Sequence, residues 1–301
     1  MDPPVRRTFH HREFVAADLV ARKEGTTISV CVPAKDEAAT IGGIVQAIRT
    51  SLVLEHALVD EIVVVDDRST DETSTLARAA GATVVSTCAP LADVVPGTGK
   101  GEALWRGLAA STGELVVFCD ADVTDFDARF VVGLVGPLLV DPTIQFVKGF
   151  YERPDTHAPG TGGRTTELVA RPLLSLLFPS LTGVVQPLSG EYAARRPVLE
   201  QVPFVQGYGV DLGLLVDIQA RWGAPAIAQV DLVSRHHRNR SLDELSPQAL
   251  SIMQTAFARA GLPASISATL RRPGLPPLAC PHVERPPLVE LRQGTAGQAS
   301  A

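Results

Sequence analysis

The chain lacks a surplus of basic residues and a run of apolar residues long enough to cross a membrane. Its 27 Lys and Arg stand against 33 Asp and Glu, which gives a formal net charge of −6. Nucleic-acid-binding proteins usually carry the opposite balance, because they neutralise phosphates. The longest uncharged apolar stretch, residues 130–140, is about half of the roughly twenty residues that a membrane-spanning helix needs, and Pro137 interrupts it. We therefore expect no nucleic-acid partner and no membrane insertion.

Paired cysteines and a secretory signal are also missing. Cys31, Cys88, Cys119 and Cys280 are far apart in the chain, and no Cys-x-x-Cys pair offers a zinc site. The first residues are polar and contain no apolar core of the kind that a secretory signal requires. We therefore predict a cytoplasmic protein whose cysteines stay reduced.

Apolar strands that alternate with helices dominate the first half. Hydrophobic residues make up 45% of the 301 residues, enough for a large core. Short runs rich in β-branched residues occur at 27–33, 61–67, 82–86 and 114–120, and apolar residues recur at helical spacing between them. Continuous apolar strands of this kind are typical of a mostly parallel sheet that helices cover on both faces. The predicted fold class is therefore α/β.

The second half is less regular. Its patterns predict strands over residues 144–151 and 226–233, helices over 167–177 and 207–222, and a last helix after Pro247. No linker divides the chain, so we predict one domain over residues 27–265 after an N-terminal extension, 1–26. The end, 266–301, is rich in Pro and then in Gly, Ala, Gln and Ser, and we expect a loosely ordered tail there.

Acidic residues follow the predicted strands. Asp66 and Asp67 end the second strand, and Asp120 and Asp122 follow the fourth. In a parallel sheet the ligand binds beyond the carboxyl ends of the strands, so these residues should converge there with the segment 33–37. Two carboxylates one residue apart attract hard cations, and we predict Mg²⁺ or Mn²⁺ at this D-x-D.

His237 could complete that metal site. It lies in a basic stretch, residues 235–240, that also offers cations for a diphosphate, although the same composition is typical of a solvated turn. The glycine-rich segment 160–166 carries Arg164 and leads into a predicted helix, which is an arrangement suited to gripping an anion. An ordinary surface loop has the same composition.

Lys100 stands between Gly99 and Gly101, where a ligand can approach the backbone closely. The full Walker pattern is not met, because Gly101 occupies the place of the required Ser or Thr. The first strand-to-helix turn carries residues 33–37 in place of G-x-G-x-x-G. A P-loop ATPase and an NAD enzyme are therefore disfavoured.

Four segments together resemble the nucleotide-sugar half of a GT-A glycosyltransferase: 32–37, 65–71, 99–105 and 120–122. Four later segments are similar to the actinobacterial glucosyl-3-phosphoglycerate synthases: 163–174, 186–194, 207–211 and 237–240. The resemblance runs in order from Ile28 to about Gly261. It implies a GT-A fold with a nucleotide-sugar half, 27–125, and an acceptor half, 126–265.

This resemblance implies a retaining, metal-dependent homodimeric enzyme that moves glucose from UDP-glucose to 3-phosphoglycerate. The residues implied to contact the nucleotide sugar are Pro33, Ala34, Lys35, Glu37, Asp67, Lys100, Asp120, Ala121, Tyr208 and Asp211. Of these, the implied catalytic residues are Asp120, Lys100 and Asp211. The implied acceptor-binding residues are Gly163, Arg164, Thr166 and Asn239. The implied metal ligands are Asp122 and His237.

Two positions depart from the family pattern. Asp67 stands where close members carry Ser, and Asp211 stands where Glu is expected, so its carboxylate reaches less far. The donor base and sugar therefore stay open between UDP-glucose, GDP-glucose and GDP-mannose. The alternatives to the implied reaction are a GT-A transferase acting on a lipid phosphate, a nucleotidyltransferase, and a nucleotide-sugar-binding protein without turnover.

Overall fold

The structure is a computed structural model that describes residues 5, 7–89, 91, 93–152, 163–236, 241–262 and 268–292. Within this part, an eight-stranded mixed sheet is covered by helices on both faces, as the sequence predicts. None of the helices in these ranges is both long and apolar enough to cross a bilayer.

The strand order in the main sheet is β1-β9-β6-β7-β5-β2-β3-β4. Only β7 among them runs antiparallel to its neighbours, β5 and β6. The four strands expected in the first half are present as β2 to β5. The strands are β1 (Arg7–His10), β2 (Ile28–Ala34), β3 (Glu61–Asp66), β4 (Thr83–Ser86), β5 (Leu115–Phe118), β6 (Phe146–Glu152), β7 (Tyr192–Arg195), β8 (Phe204–Val205), β9 (Ile227–Ser234), β10 (Thr269–Leu270), β11 (Leu278–Ala279) and β12 (Glu284–Arg285).

Nine α-helices lie within the described residues. Short 3₁₀ and π turns extend several of them, for example over Arg49–Glu55 and Thr166–Ala170. The helices are α1 (Ala16–Lys23), α2 (Ile41–Ile48), α3 (Thr73–Ala80), α4 (Lys100–Ala110), α5 (Arg129–Val140), α6 (Arg171–Leu177), α7 (Arg196–Leu199), α8 (Val210–Trp222) and α9 (Leu242–Arg259).

The last helix begins before Pro247, not after it as the sequence analysis expects. Ser241 caps its first turn and exchanges side-chain hydrogen bonds with Glu244. Pro247 lacks the N–H that would bond to the carbonyl of Asp243. Arg272 donates to that carbonyl at 3.4 Å, which partly replaces the missing bond.

The two faces of the sheet build two cores. Side chains alternate along a strand, so Val30 and Val32 pack with α2 and α5, whereas Cys31 between them packs with α4 on the opposite face. Helix α5 explains the longest apolar stretch in the sequence: nine of its residues are buried. This packing on both faces leaves the carboxyl ends of β2, β3 and β5 as the open edge of the sheet.

The ends of the chain differ from the expectation. Strand β1 of the predicted N-terminal extension pairs with β9 and is part of the main sheet. The predicted loose tail is wrong for residues 268–292: β10 and β11 form a ladder, β12 pairs with β8, and Leu288 is buried. Composition alone misses these contacts because a few anchoring side chains hold the segment. Residues 293–301 lie outside the described ranges.

Candidate active site

The predicted convergence at the sheet edge is present. The N–H of Asp67, just after β3, donates to the carbonyl of Ala34 at 2.9 Å. Thr40 Oγ1, which follows the turn after β2, donates to the Ala121 carbonyl at 2.6 Å. Parallel strands bring these three segments together because their carboxyl ends share one edge.

Lys100 links two carboxylates from distant parts of the chain. Its Nζ lies 2.9 Å from Asp120 Oδ1 and 3.1 Å from Asp211 Oδ2. Burial alone would lower the pKa of Lys100, but these two carboxylates hold it well above its ordinary value. The ammonium is therefore charged at neutral pH and joins α4, the segment after β5 and the first turn of α8.

Two glycines beside Lys100 let the start of α4 lie against other segments of backbone. Gly99 has φ +87°, and a Cβ there would lie 2.9 Å from the Cα of Gly207. A Cβ at Gly101 would lie 1.8 Å from the carbonyl oxygen of Val205. The start of α4 therefore packs directly against the backbone of β8 and the turn that follows it, and Lys100 is placed by that contact.

Arg235 holds the D-x-D carboxylates. Its Nη2 lies 2.6 Å from Asp122 Oδ1 and 3.1 Å from Asp120 Oδ2, and its Nη1 lies 3.0 Å from Glu191 Oε1. The phenol oxygen of Tyr151 also accepts from Nη1. Burial would raise the pKa of Asp120, but Lys100 and Arg235 hold it below its ordinary value. The sequence predicts Arg235 in a solvated basic turn or as a cation for a diphosphate, whereas in the structure it is buried against three carboxylates.

Two further buried ionisable groups, Glu191 and Lys148, lie near the site but are not among the predicted site residues. Burial raises the pKa of Glu191, which has 0% exposure. Burial lowers the pKa of Lys148 to about 8. Lys148 Nζ lies 4.6 Å from the centre of the Tyr192 ring and 3.5 Å from the backbone oxygen of Asp211. Glu191 lies in the family-like segment 186–194, whereas Lys148 stands in no motif, and only the fold brings the two residues close to Asp211 and Arg235.

The site keeps unpaired acceptor capacity. Asp211 Oδ1 and the hydroxyl of Tyr192 are buried and have no hydrogen-bond partner among the described residues. Burial raises the pKa of Asp211 relative to an exposed aspartate. An unpaired buried oxygen is unfavourable, so a ligand hydroxyl that donates to Asp211 would relieve this penalty.

Hydrogen bonds from Arg68 and Gly99 fix the carboxylate of Asp67. Its Oδ1 accepts from Arg68, and its Oδ2 accepts the N–H of Gly99 at 3.1 Å. The neighbouring segment after β2 is fixed in turn, since Asp36 with φ +55° accepts from Thr70 at 2.7 Å. Pro33 is half-buried, Ala34 is buried, Lys35 is exposed and Glu37 is half-buried. Contact of these residues with a nucleotide stays a prediction.

The remaining predicted site residues are the four acceptor residues, the nucleotide-sugar residue Tyr208 and the metal ligand His237. Gly163, with φ +88°, is followed by the exposed Arg164. Thr166, the first residue of the π turn, is buried. Tyr208 is 37% exposed in the turn before α8. His237 and Asn239 lie outside the described residues.

The charge of the site fits a divalent cation. The described part of the chain contains no group of three or more His, Cys, Asp and Glu side chains placed to hold a metal. Asp120 and Asp122 nevertheless supply the hard carboxylate oxygens that Mg²⁺ and Mn²⁺ prefer. The site also has one more carboxylate than cation among the described residues. The four carboxylates are Asp120, Asp122, Glu191 and Asp211, and the three cations are Lys100, Lys148 and Arg235.

Comparisons with known proteins agree with this geometry. Residues 29–201 match the model of glycosyl transferase family 2. A glucosyl-3-phosphoglycerate synthase of Mycolicibacterium smegmatis is 49% identical over 259 residues, 85% of this chain and 84% of that protein. The Mycobacterium tuberculosis glucosyl-3-phosphoglycerate synthase in complex with Mn²⁺, UDP-glucose and phosphoglyceric acid superposes with a TM-score of 0.88 at 46% identity, covering 96% of this chain and 100% of that one. Its complex with Mg²⁺ and UDP gives a TM-score of 0.87 at 47% identity, covering 96% and 100%.

Proposed function

This chain belongs to glycosyl transferase family 2 and to the glucosyl-3-phosphoglycerate synthases, and we propose that it moves glucose from UDP-glucose to 3-phosphoglycerate. The observation that carries the proposal is the bridge from Asp120 through Lys100 to Asp211, beside the second carboxylate of the D-x-D. It combines carboxylates for sugar hydroxyls with a cation for a diphosphate at the open edge of the sheet.

The donor occupies the edge formed by β2, β3 and β5. Asp120 and Asp211 accept hydrogen bonds from the glucose hydroxyls, and the unpaired Oδ1 of Asp211 supplies one acceptor. Lys100 lies between them and faces the diphosphate. Four residues after β2 hold the nucleotide, together with Asp67, Ala121 and Tyr208. These four are Pro33, Ala34, Lys35 and Glu37.

A divalent cation completes the donor site. Asp122 and His237 hold Mg²⁺ or Mn²⁺, both of which are bound in solved relatives. When bound, the cation neutralises charge on the diphosphate. Arg235 keeps Asp122 and Asp120 side by side through its two hydrogen bonds.

The acceptor approaches the face of the glucose that the departing UDP vacates. Gly163, Arg164, Thr166 and Asn239 bind 3-phosphoglycerate, since a turn with an exposed arginine at a helix start suits an anion. Transfer retains the configuration of the glucose. The bond from the sugar to UDP breaks, the acceptor hydroxyl bonds to the same face, and the released phosphate oxygen takes the hydroxyl proton.

The chain's own residues stabilise that departure. Lys100 is held charged by two carboxylates and offsets negative charge on the leaving diphosphate. The assigned residues form neither a Ser-His-Asp triad nor a glutamate pair, and the scheme needs no protein nucleophile. Asp120 and Asp211 orient the sugar so that the acceptor meets the vacated face.

We also propose a homodimer in the cytoplasm. Leu168 and Leu176, which lie in the π turn and in α6, are 75% and 79% exposed, and exposed apolar side chains of this kind occur in subunit interfaces. All four cysteines are free thiols, as expected in a reducing compartment.

A donor and acceptor screen tests the proposed reaction. The purified protein is incubated with Mg²⁺ and 3-phosphoglycerate, and UDP-glucose, GDP-glucose and GDP-mannose are offered separately. We expect nucleotide release and a product of glucosyl-3-phosphoglycerate mass with UDP-glucose. Transfer only to a lipid phosphate, release of pyrophosphate from UTP and a sugar phosphate, or binding without product would each contradict the proposal.

A further inference from the structure

A buried carboxylate two residues after Lys100 joins three parts of the chain. Glu102 of α4 has 0% exposure. It accepts from Arg106 Nε at 2.9 Å, from Arg285 Nη2 at 2.9 Å and from the N–H of Gly97 at 3.0 Å. Arg285 belongs to residues 278–292, which we call the C-terminal arm. A carboxylate shared by two guanidinium groups is a strong, directional link.

The same two arginines hold the loop between β4 and α4. Arg106 donates to the carbonyls of Leu91 at 3.0 Å and Val94 at 2.9 Å. Arg285 donates to the carbonyl of Val95 at 2.6 Å. Together with the Gly97 N–H that donates to Glu102, four backbone groups of this loop therefore bond to the cluster of Glu102, Arg106 and Arg285. This loop ends at Gly99, whose N–H bonds to Asp67.

The C-terminal arm also supports the strand against which α4 starts. Strand β12 of the arm pairs with β8, with Arg285 opposite Phe204. The N–H of Gln206 donates to the carbonyl of Val283 at 2.8 Å. Because Gly101 packs directly on Val205 of β8, a shift of β8 would move the first turn of α4 and Lys100 with it.

We propose that Arg285 is a positioning residue for the donor site, and that it acts through Glu102 on the loop 91–99 and on Lys100. The inference rests on the proposed function, since it assumes that Lys100 and Asp67 border the nucleotide sugar. The C-terminal arm thereby influences donor binding, although none of the residues assigned to the donor site belongs to it.

Trp105 offers a direct report of arm docking. The guanidinium carbons of Arg106 and Arg285 each lie 5.3 Å from its ring centre. Its indole N–H donates to the carbonyl of Pro286 at 2.9 Å. The chain has two tryptophans, so a Trp222→Phe background leaves Trp105 as the single indole fluorophore.

The test compares Arg285→Gln with Arg292→Gln, the matched control. Arg292 lies on the same arm and pairs with Glu200 at 3.0 Å, but its side chain is 61% exposed. Calorimetry measures the Kd for UDP-glucose in Mg²⁺, and hydrogen exchange follows the amides of 93–99. For Arg285→Gln we expect a Kd about five- to tenfold higher, faster exchange in 93–99 and a red-shifted Trp105 emission. The control should match the wild type.

Unchanged UDP-glucose affinity in a folded Arg285→Gln protein would overturn the inference, as would exchange that rises equally throughout the chain. If this variant does not fold, Arg285→Lys keeps the charge but loses the paired hydrogen bonds from Nε and Nη2 of Arg285 to the two oxygens of Glu102, and it should show the same Kd increase. If the wild-type protein binds UDP-glucose but does not transfer the glucose, the proposed function is contradicted, whereas the role of Arg285 in donor binding still stands.

Discussion

Lys100 and Asp211 form a 3.1 Å ion pair that joins the first residue of α4 to the first turn of α8. Asp120 bonds to the same ammonium at 2.9 Å, so one cation orders two carboxylates that are far apart in the chain. Asp211 keeps an unpaired buried oxygen, which is the acceptor that we propose for a glucose hydroxyl.

Replacing Lys100 by Met should remove the cation that we propose to face the leaving diphosphate. We expect kcat to fall by about 10²- to 10³-fold, a loss typical of a group that stabilises transition-state charge. Steady-state kinetics with UDP-glucose and 3-phosphoglycerate measures this loss. Arg22→Met, which removes an exposed cation on α1, is the control and should leave kcat unchanged. Equal kcat values for the two variants would remove Lys100 from the mechanism.

Gly101→Ala tests the close packing of α4 on β8. The added Cβ would lie 1.8 Å from the Val205 carbonyl oxygen, so the first turn of α4 must move. We expect kcat/KM to fall at least about tenfold, since a small displacement of a catalytic group has effects of this size. The control is Gly42→Ala in α2, where a Cβ meets nothing within 4 Å. Its stability should rise by about 0.5 to 1 kcal/mol without loss of activity.

Much of this arrangement is readable in the sequence. The continuous apolar runs predict the parallel strands, because strands buried on both faces have no polar alternation. The acids that follow those runs predict the site edge. The glycines around Lys100 predict a close approach of a ligand, whereas in the structure the backbone of Val205 and Gly207 lies against them. The family resemblance supplies the reaction, which composition and spacing alone leave open.

The rest depends on contacts between distant residues. The basic stretch 235–240 and the segment 186–194 mark Arg235 and Glu191 separately but not as partners, since their buried ion pair forms only after the fold joins β9 to the segment before β7. Strand β7 is short and runs against its neighbours, so apolar periodicity does not reveal its place. The ordering of residues 268–292 rests on anchors such as Arg285, which a proline-rich composition hides.

Arg235→Met should strongly destabilise the protein. It would leave Glu191 buried without its 3.0 Å partner, and removing one member of a buried pair typically costs about 3–5 kcal/mol. The double variant Arg235→Met with Glu191→Met removes both charges and should recover part of that loss. Urea unfolding of the wild type, the two single variants and the double variant completes the cycle. Additive losses would show that the two residues are not coupled.

Lys148 should make stability rise with pH. Burial lowers its pKa to about 8 from 10.5, so the unfolded state binds more protons than the folded state between these values. The unfolding free energy should therefore increase as pH rises from about 8 towards 10.5, by up to about 3 kcal/mol. Below pH 8 both states carry the proton, and the full penalty remains. Urea unfolding under reducing conditions measures the slope relative to Lys148→Met, which should lack this contribution. The same slope in both proteins would refute it.

The most direct test of the whole account is the structure of the product made from UDP-glucose and 3-phosphoglycerate with Mg²⁺. Mass spectrometry identifies the product, and proton NMR of the anomeric centre gives the configuration of the new bond. The account predicts glucosyl-3-phosphoglycerate with the α configuration of the donor retained. A β-linked product would contradict the attack on the vacated face, and the absence of any glucosylated phosphoglycerate would contradict the assigned reaction.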